Sequence, residues 1–148
     1  MTVSINKICV VGLGYIGLPT AAIIASRGIN VVGVDVSERA VNTINEGKIH
    51  IVEPDLDMVV QAAVTTGKLK ASLSAEEADV FMIAVPTPFT GDKKPDLSYI
   101  AAAAKSIAPF LKQGNTVILE STSPVGATEQ LSEWLSEERK DLKFPHDN

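Results

Sequence analysis

The chain has 148 residues, a net charge of −5, a single cysteine and many aliphatic but few aromatic side chains. That balance lacks the basic face that nucleic acid requires, no apolar run approaches the roughly 20 residues that cross a bilayer, and one cysteine excludes both an internal disulfide and a cysteine-based metal cluster. The length fits one domain with a single respectable core, and a start without a signal-peptide core predicts a cytoplasmic protein.

The first element is an apolar run, Lys7-Ile-Cys-Val-Val11, that leads into Gly12-Leu-Gly-Tyr-Ile-Gly17 and then into an alanine-rich stretch. This reads as strand, glycine turn and helix, the helix spanning about Tyr15 to Arg27 with Pro19 in its first turn and Gly28 as its stop. In a dinucleotide-binding unit of this kind each glycine has a separate steric role. Gly12 makes the tight turn, Gly14 lets backbone approach a pyrophosphate, and Gly17 lets helix and strand pack closely. The helix N-terminus then offers unpaired N–H groups and the positive end of its dipole to the anion. Cys9 lies inside the strand, where a thiol is a small buried hydrophobe rather than a nucleophile.

A second apolar run, Val31-Val-Gly-Val34, ends in Asp35, eighteen positions beyond Gly17. An acidic side chain at that strand tip accepts the adenosine ribose hydroxyls and repels a 2′-phosphate, which favours NAD over NADP. The competing reading makes Asp35 a turn residue or a helix cap. Arg39, one helical turn on, either softens the exclusion of NADP or lies solvated at the adenosine edge. Ser37 is set to cap a helix bearing Ala40, Val41 and Ile44, which Gly47 ends.

After a connection broken by Pro54, Asp55 is expected to cap a helix running to about Thr66. Leu69 to Leu73 reads as a short strand, and Ser74-Ala-Glu-Glu77 as a capping box for a brief helical turn. Val80-Phe-Met-Ile-Ala-Val85 is the uninterrupted apolar run of a strand covered on both faces. It delivers Pro86-Thr-Pro-Phe89 to the sheet edge where ligands sit in a doubly wound fold, so Thr87 either lines a cofactor cleft or belongs to a rigid turn. Asp96 then caps a helix from about Leu97 to Leu111, ended by Gly114, and strand Thr116–Leu119 follows. That strand brings Glu120-Ser-Thr-Ser-Pro-Val-Gly126 to the same edge, a concentration of hydroxyls with one carboxylate; Ser123-Pro124 or Thr128 alternatively begins the last helix, to about Glu138. His50 and His146 have no suitable neighbours for a metal site. Alternating strands and helices predict an α/β, Rossmann-type doubly wound, mostly parallel sheet with helices on both faces.

Five wordings together resemble the N-terminal domain of the UDP-glucose/GDP-mannose dehydrogenase family: Gly12-Leu-Gly-Tyr-Ile-Gly-Leu-Pro19, Gly33-Val-Asp35, Ile51-Val-Glu-Pro-Asp-Leu56, Val85-Pro-Thr-Pro88 and Ser121-Thr-Ser-Pro-Val-Gly126. The resemblance covers nearly the whole chain. It implies an NAD-dependent oxidoreductase of polysaccharide biosynthesis that takes a sugar-nucleotide primary alcohol to a carboxylate, reducing two NAD+ in succession through a thioester on cysteine. Position by position, it implies that Tyr15 and Ile16 meet the cofactor phosphates through backbone N–H groups and that Asp35 holds the ribose. Thr87 and Thr128 would reach the cofactor from later loops, and Thr122 would sit near the nicotinamide and help hold the reacting water. The family's nucleophilic cysteine, its lysine and asparagine partners and its central and C-terminal sugar-nucleotide domains fall beyond residue 148. Residues 1–148 are thus expected to form one dinucleotide-binding domain that binds NAD(H) without turnover, the UDP-sugar being a partner of the longer enzyme, with self-association as a homo-oligomer open. A β-hydroxyacid or 6-phosphogluconate-type dehydrogenase and a stand-alone dinucleotide sensor or assembly module are the alternatives; Val85-Pro-Thr-Pro88 favours the sugar-nucleotide family over the first.

Overall fold

The computed structural model describes residues 4–120 and 124–145. Its strands are β1 (Lys7–Val11), β2 (Asn30–Val34), β3 (Leu69–Ser72), β4 (Val80–Ile83) and β5 (Thr116–Leu119), all parallel, in the order β3-β2-β1-β4-β5. Parallel strands need crossover connections and burial on both faces, and their apolar runs supply side chains in both directions. Ile8, Val10, Val31, Leu69 and Val80 point to one face, beneath α1 (Gly17–Ser26), α2 (Glu38–Asn45) and α3 (Leu56–Thr65). Cys9, Val11, Val32, Phe81 and Ile83 point to the other, beneath α4 (Ser98–Ile107) and α5 (Ala127–Glu138). The doubly wound architecture expected from the sequence is the one observed. Ala21, Ala22 and Ala25 of α1 are buried, so the helix lies close on the sheet.

Strand order reverses between β1 and β4, which opens a crevice at their carboxyl ends. The glycine turn leaves β1 at that point.

Four local expectations are corrected. Ser74-Ala-Glu-Glu77 forms no helical turn: residues 73–79 run as an irregular strap across the second face of the sheet. Tertiary charges override the local box, because Glu76 pairs with Lys7 at 3.0 Å and Lys70 at 2.8 Å, Glu77 pairs with Lys112 at 2.8 Å, and Ala75 is buried in the core. Asp79 ends the strap by accepting the N–H groups of Asn6 and Lys7 at 2.8 and 3.0 Å. Asp55 precedes α3 but makes no side-chain cap, since its φ of 64° places it in the left-handed region. Helix α4 stops well before Gly114, because Pro109 cannot continue the α-helical hydrogen bonding and residues 108–110 tighten into a 3-10 turn. Helix α1 starts at Gly17 rather than Tyr15, leaving Tyr15 and Ile16 in the turn itself.

Two side chains close ends that the fold leaves open. The Asn45 amide accepts from Ala71 N–H at 2.8 Å and donates to Ala71 C=O at 2.9 Å, pairing the outer edge of β3 as a neighbouring strand would. Arg139 donates to the carbonyls of Ala108 and Leu111 at 2.9 and 2.7 Å, satisfying groups at the end of the α4 segment.

Candidate functional site

The glycine turn is shaped by clashes that any side chain would create. Gly12 has a φ of +99°, and a Cβ there would stand 2.6 Å from the Ala84 carbonyl oxygen at the end of β4. A Cβ on Gly17 would stand 1.7 Å from the Gly12 oxygen and 3.3 Å from the Ala84 side chain. Gly17 therefore lets α1 close onto the turn and onto β4, a tighter demand than helix against strand. Gly14 differs: no heavy atom lies within 4 Å of a Cβ built there, so its backbone faces open space in front of the helix.

Between the glycines, Leu13 is fully buried. It fits because Gly33 on β2 carries no side chain; a Cβ there would meet the Leu13 Cδ2 at 2.7 Å. Leu13 N–H donates to Asp35 Oδ2 at 3.0 Å, and Ser37 N–H donates to Oδ1 at 2.9 Å. Gly12 N–H donates to the Val34 carbonyl at 2.7 Å, so the turn is fastened to the end of β2 twice over. An ionised carboxylate has about four lone-pair sites, so Asp35 keeps acceptor capacity for ligand hydroxyls after both bonds are made. In the sequence Leu13 and Gly33 figure only inside longer wordings, neither with a packing role, although the unusual glycine inside an apolar strand is the signal for a close approach.

Helix α1 has Ile16 at its N-cap position, with no side-chain cap and no acidic residue in its first turn. Its N-terminal N–H groups and dipole are therefore available to an anion in the space before Gly14. Tyr15 and Ile16 are exposed at the lip of that space. Arg39 is exposed in the first turn of α2, whose cap is Ser37, its hydroxyl accepting from Ala40 N–H at 3.2 Å. These features fit the pyrophosphate and ribose of a dinucleotide.

Thr87, four residues beyond the end of β4, is half-buried. The polar loop beyond it is more ordered than its composition suggests. Phe89 and Pro95 form an antiparallel bridge, Thr90 N–H donates to the Lys94 carbonyl at 2.7 Å, and the Thr90 hydroxyl bonds Asp92 and the Lys94 carbonyl. The Thr90 hydroxyl holds the Asp92 carboxyl below its usual range. Phe89 stands exposed on this small hairpin.

At the end of β5, Thr20 of α1 donates its hydroxyl to Glu120 Oε1 at 2.8 Å. Thr122, with Ser121 and Ser123, lies outside the described residues. Thr128 sits in the first turn of α5 and lines a groove of about 780 Å3 along the outer edge of β5, with Val117, Leu131 and Phe144. Cys9 is fully buried, and burial pushes its thiol up to about 11. Among the described residues, no group of three His, Cys, Asp or Glu side chains is placed to hold a metal ion, and no helix is long and apolar enough to cross a membrane.

Residues 6–147 match the UDP-glucose/GDP-mannose dehydrogenase family, NAD binding domain. The chain is 65% identical over 144 residues to an NDP-N-acetyl-D-galactosaminuronic acid dehydrogenase of Ralstonia nicotianae, an overlap of 97% of this chain and 34% of that protein. It is 65% identical over 142 residues to a UDP-N-acetyl-D-mannosamine dehydrogenase of Campylobacter jejuni, covering 95% of this chain and 35% of the relative. The solved structure of a UDP-D-ManNAc dehydrogenase from Pyrococcus horikoshii superposes with a TM-score of 0.89 at 41% identity, over 95% of this chain and 34% of that one. The chain thus spans about a third of the length of the curated relatives it matches.

Proposed function

The chain belongs to the UDP-glucose/GDP-mannose dehydrogenase family as its NAD-binding domain, and from that premise we propose that it serves an enzyme oxidising the primary alcohol of an N-acetylated nucleotide sugar to a carboxylate. Relatives named for two different N-acetylated sugars, equally similar to this chain, support the N-acetylated class. Between them, His50-Ile-Val-Glu-Pro-Asp55 and Glu120-Ser-Thr-Ser-Pro-Val-Gly126 favour UDP-N-acetyl-D-mannosamine.

The observation that carries the cofactor half of this reading is the open space before Gly14, beneath an uncapped helix and beside a tethered Asp35. In it the backbone N–H groups of Tyr15 and Ile16 bind the pyrophosphate, and Asp35 accepts the adenosine ribose hydroxyls. Arg39 covers the adenosine edge, Thr87 and Thr128 approach from the later loops, and Thr122 positions water at the reacting end. When bound, the oxidised nicotinamide supplies the hydride acceptor. The thioester chemistry needs an accessible thiolate, which buried Cys9 does not provide. These residues alone therefore bind NAD(H) without turning over substrate. We place the protein in the cytoplasm.

Titration with NADH, followed by nicotinamide fluorescence, tests the reading, with NADPH and Asp35→Asn alongside. Saturable NADH binding at least about tenfold tighter than NADPH, a gap that Asp35→Asn narrows, is the expected result, one factor of ten being about 1.4 kcal/mol. A chain that is folded by circular dichroism and does not bind NADH refutes it.

A further inference from the structure

One buried polar atom at the sheet's carboxyl edge has no hydrogen-bond partner among the described residues. Glu120 Oε1 receives the Thr20 hydroxyl at 2.8 Å, and Glu120 N–H donates to the Ile83 carbonyl at 2.8 Å, so the residue is held from two sides. Its other carboxylate oxygen, Oε2, is buried and has no donor among the described residues. An acceptor withdrawn from water without a partner is costly, and such atoms mark places where a donor arrives from outside.

The position says which donor. Thr20 lies within the second turn of α1, whose first residue, Gly17, is pressed against the glycine turn and Ala84. The carboxylate is therefore held against α1 at the carboxyl ends of β4 and β5, the same edge at which the glycine turn leaves β1. Asp35 stands on the other side, at the tip of β2, three strand positions from β5 or about 14 Å. A dinucleotide whose adenosine is held by Asp35 and whose phosphates lie before Gly14 directs its remaining half toward β4 and β5.

Resting on the proposed cofactor reading, we propose that Glu120 is a cofactor-binding residue whose free Oε2 accepts a hydrogen bond from the nicotinamide riboside half of the dinucleotide, with Thr20 as the positioning residue that fixes its rotamer. Two groups in that half carry the donor chemistry, the ribose hydroxyls and the carboxamide N–H.

The test measures dissociation constants of NADH, ADP-ribose and ADP for the parent chain, Glu120→Gln and Thr20→Val, with thermal melting of each. Glu120→Gln keeps an acceptor for Thr20 and turns an N–H2 toward the incoming donor. It is expected to weaken NADH about tenfold and to leave ADP, which ends at the phosphates, unchanged. Thr20→Val is expected to weaken NADH about threefold, again without effect on ADP, and serves if Glu120→Gln fails to fold. ADP-ribose weakened in step with NADH assigns the donor to the ribose; ADP-ribose unaffected assigns it to the carboxamide. Equal weakening of NADH and ADP would show a purely structural role and overturn the proposal, as would no weakening of either. A folded parent chain that binds none of the three overturns the cofactor reading itself, and this inference with it.

Discussion

Gly14→Ala separates the glycine turn's structural duty from its binding duty. The added methyl enters space with no heavy atom within 4 Å, at a φ outside the left-handed region. Where the backbone already suits alanine, replacing glycine stabilises by about 0.4–1 kcal/mol, because the unfolded chain loses freedom. For a domain of this size about 1 kcal/mol corresponds to roughly 2–4 °C, so Tm should rise by about 1–4 °C. The same methyl occupies the approach of the pyrophosphate, and displacing an anion from one N–H donor costs about 1.5–3 kcal/mol. NADH affinity should therefore fall roughly 10- to 100-fold while the fold gains. Gly17→Ala is the opposite case: its Cβ would stand 1.7 Å from the Gly12 carbonyl oxygen, a backbone atom that cannot rotate away. A cost above about 4 kcal/mol and an unfolded or insoluble product are expected. Differential scanning fluorimetry and NADH titration on the same preparation read both quantities. A Gly14→Ala chain that binds NADH as the parent does, or that melts several degrees lower, would refute the reasoning.

Asp35→Ala strands the buried Leu13 N–H without its acceptor, so it should lose about 1–3 kcal/mol and melt several degrees lower; an unchanged Tm would mean the bond adds nothing. Glu76 is held below the ordinary carboxylate range chiefly by its hydrogen bond from Lys70 and next by that from Lys7. A depressed carboxylate stabilises above its unfolded pKa, about 4.3, and that contribution is lost as pH falls through the folded value. Because its side chain is 35% exposed, the effect should not exceed about 1 kcal/mol. Glu76→Gln should therefore melt slightly lower at pH 7 and converge with the parent below about pH 4; parallel curves would contradict this. Cys9, with its thiol raised to about 11 from 9.0, should react with a chromogenic disulfide at pH 8 more than about 100-fold slower in the folded chain than in denaturant. Fast native labelling would show that β1 opens.

The strand–turn–helix start was legible because its constraints are local: glycine spacing determines where side chains cannot fit, and Gly12 and Gly17 carry those limits on their own backbones. The strand alternation and the Ser37 cap were legible for the same reason. What escaped depends on partners far along the chain. Ser74-Ala-Glu-Glu77 satisfies a local capping pattern, yet Lys7, Lys70 and Lys112 draw its glutamates away, and Lys7 and Lys112 stand 69 and 35 positions from the glutamates they meet. Glu120 was visible only as one polar residue in a cluster, because its partner Thr20 is one hundred positions earlier. The early end of α4 is different: Pro109 was in plain view, and its missing N–H was sufficient to place the break.

Asp35 and Glu120 share a design that changes how substitutions at this edge are interpreted. Each uses one carboxylate oxygen to fasten the turn or its helix to the sheet, Asp35 through Leu13 N–H and Glu120 through the Thr20 hydroxyl. Truncating either to alanine removes the fastening along with any ligand contact, so lost affinity in such a variant does not by itself identify a contact residue. Glu120→Gln keeps an acceptor oxygen for the Thr20 hydroxyl, whereas Asp35→Asn keeps one oxygen for one of its two N–H donors, Leu13 or Ser37, and gives up the other bond along with the charge. If Asp35→Asn retains most of the parent's Tm and loses discrimination between NADH and NADPH, while Asp35→Ala loses Tm as well, the two duties of the side chain separate. If both variants lose Tm equally, holding the turn requires both acceptor oxygens of the charged carboxylate, and the preference between the two dinucleotides must then be measured in a variant that adds charge elsewhere on the ribose side.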